Sequence, residues 1–115
     1  MIETGDAEVW KILLTDEAIA LLENGRFEGS ADDRRDGFIH LSTEAQLAGT
    51  IAKHFSGQSN LLALACPTAR LGDALRWEKS RNGALFPHLY RQLQLADVKA
   101  IIPTTPEWLE QLAGA

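Results

Sequence analysis

The sequence predicts a small α+β domain, on three observations. Residues 61–66, "LLALAC", form a continuous apolar run of strand length, as expected of a central strand covered on both faces. Residues 15–25 and 43–57 carry helical periodicity with start and stop signals. The other apolar segments are short, rich in aromatic and β-branched residues or alternating, as strands are. With 115 residues, 45% hydrophobic and 23% charged, the chain suits one domain over residues 1–115.

Taken in order, "EVWKILL" (8–14) reads as a first buried strand. A helix follows, with Thr15 as the expected N-cap, Asp16 and Glu17 in the first turn and Asn24-Gly25 as the stop. Residues 26–37 include "DDRRDG", have no apolar periodicity, and are expected to be a mobile surface loop. "GFIHL" (37–41) is a short strand with Phe38, His40 and Ser42 on one face. The second helix sets Leu47, Ile51 and Phe55 on one side, and Thr43 with Gln46 fits a capping box at its start.

After "LLALAC", Pro67 ends the central strand. "ALRWEKS" is read as a strand with Leu75 and Trp77 facing one way, Arg76 and Glu78 the other. From His88 the chain alternates, placing His88, Tyr90, Gln92 and Gln94 opposite Leu89, Leu93 and Leu95. "DVKAII" is the expected last strand, paired with its neighbour across "LADV", and Thr105-Pro106 opens a short C-terminal helix. The sum is two main helices, five or six short strands and a short terminal helix.

Charge and cysteine content narrow the function. A net charge of −5 and a pI near 5.1 argue against general nucleic-acid binding, which needs a basic stripe, but leave room for a nucleotide-sized anion. The single Cys66 precludes an internal disulfide and suits a reducing compartment. No leader-like h-region and no apolar stretch of spanning length are visible, so a soluble cytoplasmic protein without a membrane partner is expected. No HxxxH, HExxH or CxxC spacing occurs, so no metal is expected.

Two constellations carry chemistry. In "DGFIHLST", His40 lies on a strand whose next residues, Ser42 and Thr43, bring hydroxyls to a helix N-terminus, a place suited to phosphate. The competing reading is a core histidine bonded to a carbonyl. In "RWEKSRNGALFPHLY" (76–90), Trp77, Phe86 and Tyr90 offer aromatic walls, Arg81 a cation, and Glu78 and His88 an acid/base pair if they meet. The competing reading there is a solvated strand face over core aromatics. The two clusters strengthen each other and favour a site. His54, by contrast, reads as a flanking surface residue, and Cys66 as inert packing.

"DGFIHLST", "HFSGQ", "LRWE" and "LFPHLY" together resemble the bacterial domain-of-unknown-function family nine-five-two, over about residues 9–102. That family is similar in fold to the ADP-ribosyltransferases, so the resemblance implies a split-sheet α+β domain that grips NAD in a cleft between two small sheets. The resemblance implies NAD as substrate or ligand, with His40 and Ser42 holding the nicotinamide ribose and Tyr90 or Phe86 stacking on the base. The late catalytic glutamate of that pattern has no counterpart in "DVKAII", and Glu107 falls in the terminal helix. Pairing His40 with His88 resembles instead the branch that uses histidines, and Glu78 is the carboxylate left to serve chemistry. The functions implied are a transferase or glycohydrolase acting on a nucleotide, a non-catalytic module binding a small metabolite or protein partner, or a hydrolase using the two histidines.

Overall fold

The computed structural model describes residues 7–80 and 83–114. The chain folds as a mixed α/β domain with five helices and eight short strands among those residues. The strands form three small sheets. In the first, β1 (Glu8–Leu13), β4 (Leu62–Pro67) and β8 (Ala100–Pro103) run antiparallel with β4 in the middle. In the second, β2 (Arg26–Phe27) pairs β7 (Leu93–Gln94). In the third, β6 (Leu85–Leu89) lies between β3 (Ile39–His40) and β5 (Leu75–Lys79).

The expected central strand is β4, and both its faces are covered. Val9, Leu13, Leu64 and Cys66 point into a core shared with α1 (Thr15–Asn24) and with Leu89 and Leu93. Trp10, Ile12, Ala63 and Ala65 point the other way, against Leu47 and Ile51 of α3 (Leu47–His54) and Trp108 of α5 (Pro106–Gly114). Alternation along β1 and β4 thus feeds two cores from one sheet. Cys66 is fully buried, and burial pushes its thiol up to about 12. Native protein at neutral pH should therefore not react with a thiol reagent until urea opens the core. Rapid labelling of the folded chain would contradict this packing.

Several expectations give way to the structure. Thr15 is the first helical residue of α1 rather than its cap; Leu14 takes that position, its N–H donating to Glu17 Oε1, while the Thr15 hydroxyl donates to the Asn60 carbonyl. Residues 26–37 are no loose loop. They fold as β2 and α2 (Ala31–Asp36), with Ser30 capping Asp33 N–H and Gly37 closing the helix at φ 86°. The last strand, β8, pairs β4 and not its sequence neighbour β7, because β7 is only two residues long and is committed to β2. The alternation from His88 stops at Leu89. Beyond it, Arg91 forks onto the Asp97 carboxylate at 2.8 and 3.1 Å. A fourth helix, α4 (Thr68–Leu71), follows β4 directly.

The junction between the first and third sheets places the site. Trp10 and Ser42 exchange main-chain hydrogen bonds at 2.8 and 2.9 Å, tying the outer edge of β1 to the chain just after β3. Thr43 does cap the next turn: its Oγ1 accepts Gln46 N–H, and Gln46 Oε1 accepts Thr43 N–H in return. That box launches α3 from the sheet junction. The helices α2 and α3 therefore flank the same edge of β1.

Candidate functional site

A cavity of about 270 Å³ lies along that edge, between α2 and α3; β3 contributes His40, the chain just after it Ser42, and β6 Phe86 and His88. The volume falls just below the roughly 300–1,000 Å³ typical of small-molecule sites, so it suits a small molecule or one part of a larger one.

His40 and His88 face each other across the β3–β6 pair, where they are direct register partners, with ring centroids 5.7 Å apart. Phe38 covers both, stacked on His88 at 4.0 Å and tilted on His40 at 4.7 Å. Each imidazole is held by carboxylates. His40 Nδ1 lies 2.7 Å from Asp33 Oδ1 and Nε2 lies 2.9 Å from Asp36 Oδ2, both partners coming from α2. His88 Nδ1 lies 2.7 Å from Glu78 Oε1, on the adjacent strand β5. An ionised carboxylate only accepts, so Glu78 takes the Nδ1–H of His88 and selects the tautomer with a lone pair on Nε2. No hydrogen bond occupies that nitrogen among the described residues.

Asp33 organises the floor. It is 3% exposed and accepts from Lys11 Nζ at 2.9 Å, from the His40 main-chain N–H at 3.0 Å and from the Ser30 N–H at 2.9 Å. Burial alone would raise its carboxyl, but the His40 hydrogen bond, the Lys11 ammonium and the two backbone donors outweigh it and hold the group far below the ordinary carboxylate range. Lys11 is itself buried and also donates to the His40 carbonyl at 3.1 Å. Asp36 is lowered too, first by the hydrogen bond from Arg35. Glu78 is lowered chiefly by the hydrogen bond from His88 and then by that from Tyr90, whose hydroxyl donates at 2.8 Å.

The sequence-predicted residues divide in two. His40, His88, Ser42 and Phe86 line the cavity. Glu78 meets His88, answering whether the acid/base pair can form, but it stands behind the ring rather than in the lining. Tyr90 lies outside the cavity lining, bonded to Glu78 and beneath the Arg76 guanidinium at 4.9 Å, so it does not stack in the cavity. Trp77 packs against the core through the apolar face of β5, and Thr43 is spent on its capping box. Arg81 lies outside the described residues. Ser42 is buried and shares a hydrogen bond with Thr50 of α3 at 2.8 Å.

Lys11, Asp33, Asp36 and His54 all line the cavity without having been singled out as binding residues. For the two aspartates a signal existed: Ser30 followed by Asp33, with Gly37 beyond, spells a capped short helix. Among the described residues no group of three or more His, Cys, Asp or Glu side chains could hold a metal ion, and no helix is long and apolar enough to cross a membrane.

Fold and site thus define a small mixed α/β domain whose cavity is built on two carboxylate-held imidazoles. The chain belongs to the family of proteins of unknown function DUF952, whose model matches residues 12–101. It is similar to the protein CC0527 from Caulobacter crescentus. The crystal structure of that protein is 45% identical, with a TM-score of 0.81, covering 90% of this chain and 98% of that one. Its solution NMR structure gives 45% identity and a TM-score of 0.78, covering 94% and 95%. No curated protein matches the chain.

Proposed function

We propose that the cavity binds a nicotinamide nucleotide by its ribose, and that the chain acts on the N-glycosidic bond as an ADP-ribosyltransferase-like transferase or glycohydrolase. The observation that carries this reading is the meeting of His40 and His88 on one cavity beside Phe86 and the Ser42 hydroxyl. Imidazoles and an aromatic wall suit a ribose and a flat base. In the reaction the C–N bond to nicotinamide breaks, its electron pair leaves with the base, and an acceptor oxygen forms the new bond to the ribose carbon. The acceptor's proton passes to His88 Nε2, and the oxocarbenium-like charge is opposed by the carboxylates around His40. Glu78 acts through His88 as a positioning residue.

Binding without turnover is the second reading. It is favoured by β8 carrying no glutamate and by Glu78 standing outside the cavity lining. Calorimetric titration with NAD tests both. Saturable heat in the wild type, lost in a folded His40→Ala variant, is the expected result. Product formation then separates enzyme from module. No heat and no thermal stabilisation at millimolar NAD would reject nucleotide binding in either form.

A further inference from the structure

One buried imidazole in the cavity wall has an open nitrogen, and its chemistry restricts what can meet it. The His88 side chain is 7% exposed, lines the cavity and has Nδ1 on Glu78. That leaves Nε2 with a lone pair and no hydrogen bond among the described residues. The nitrogen is not sealed off either, because the Trp10 indole Nε1 is the one sealed side-chain atom without a partner among those residues. Phe38 covers one face of the His88 ring at 4.0 Å, so Nε2 is approached in the ring plane, where its lone pair lies.

The donors around it are engaged. Lys11 Nζ donates to Asp33 and to the His40 carbonyl, both His40 nitrogens face aspartates, and Arg35 donates to Asp32 and Asp36. Lys53, the other cation of the lining, is exposed on α3. A carboxylate or phosphate brought to His88 therefore meets a lone pair with its own lone pairs, and is repelled. An ammonium fares no better. Each aspartate of the α2 wall already faces Arg35, Lys11 or His40, so no unpaired carboxylate offsets the cost of burying a further cation. A neutral O–H meets neither obstacle. It gives its hydrogen to Nε2, and ionised carboxylates keep lone pairs for further hydroxyls. Phe86 adds an apolar wall.

We infer that the cavity is a hydroxyl site, in which His88 Nε2 accepts the O–H of a neutral polyhydroxyl ligand such as a sugar. That this hydroxyl receives the ribosyl group rests on the transferase reading; the site itself does not. In that reaction its proton passes to Nε2 as its oxygen bonds the ribose carbon, and nicotinamide leaves with the C–N electron pair. The acceptor class is then an alcohol, not an amine or a carboxylate.

The site is tested with D-ribose on the whole chain, by following the imidazole nitrogens of the three histidines in ¹⁵N-labelled protein. Triple-resonance experiments assign them without any substitution. The His88 Nε2 resonance should move saturably with D-ribose and stay still with inorganic phosphate, acetate and ethylammonium. A ribose methylated at every hydroxyl keeps its oxygens but has no donor, and should leave the resonance unmoved. In a folded His88→Asn variant, ribose binding should weaken roughly tenfold, as loss of one hydrogen bond does. No response to ribose means that water alone meets Nε2, and overturns the proposal. So does an equal response to the methylated sugar, a larger response to phosphate or ethylammonium, or a folded His88→Asn variant that binds ribose like the wild type. Calorimetry with NAD separates the two readings. A ribose response without NAD binding keeps the hydroxyl site and rejects the nucleotide. Turnover of NAD without a ribose response keeps the nucleotide and rejects the hydroxyl site.

Discussion

Asp33→Asn should lower the unfolding free energy by about 3–5 kcal/mol, the range for breaking a buried ion pair by removing one partner. The size follows from what the carboxylate touches. Lys11 is buried with it, and without the negative charge its ammonium is left uncompensated beneath the sheet. An asparagine keeps one acceptor oxygen, where Asp33 uses two to meet Lys11, the His40 ring, and the main-chain N–H groups of Ser30 and His40. The pH dependence has a definite sign. The folded-state carboxyl lies below its ordinary value of 3.8, so its contribution is in full above that value and is lost as pH falls toward the folded one. Urea titrations of both forms should show a wide gap in midpoint at pH 7 that narrows steadily in acid below the unfolded value. A gap unchanged by acid, or no gap at neutral pH, would refute the electrostatic account. Removing the orphaned cation as well, with Lys11→Met in the Asp33→Asn background, should recover part of the loss.

That hub was not legible in the sequence, for a physical reason. Apolar periodicity reports which faces are buried, and it served well for β1, α1, α3 and β4, whose buried residues are apolar apart from Lys11. In α2 the buried residue is an aspartate, so a six-residue helix reads as a solvated charged loop unless its capping box is weighed. The partner of β8 was hidden for another reason: pairing across the fold leaves no local trace, whereas the adjacent "LADV" mimics a hairpin connection. For the site, alternation assigned Glu78 and His88 each to a polar strand face, but their meeting depends on register. The β5–β6 turn fixes that register through the Ser80 N–H to Ala84 carbonyl bond, aligning Arg76 with His88 and leaving Glu78 within reach of its ring. Likewise the rings of Phe38 and His40 meet, as two positions alternating on a strand can, yet only the third sheet's geometry stacks Phe38 on His88.

The largest effect on chemistry is expected at His88. If the lone pair on Nε2 accepts the acceptor's proton, His88→Ala should lower turnover of the nucleotide by about 10²–10⁴-fold, the usual range for a positioned base. Glu78→Gln should do less, on the order of tenfold, and in a different way. The carboxylate accepts only, and its lowered protonation range keeps it ionised well into mild acid, so it offers Nδ1 a single kind of bond. A glutamine can present either its oxygen or its amide nitrogen there, and the tautomer of His88 is no longer dictated. Turnover should fall with KM unchanged, the pH–rate profile should shift, and Glu78→Asp should restore part of the rate. The melting temperature should barely move, because Glu78 sits at the surface. A positioning residue and a structural one then give opposite signatures. Loss of rate that tracks loss of stability in Gln and Asp variants alike would make Glu78 a structural partner of Tyr90, whereas a changed pH profile at constant stability would mark it as the group that sets the base.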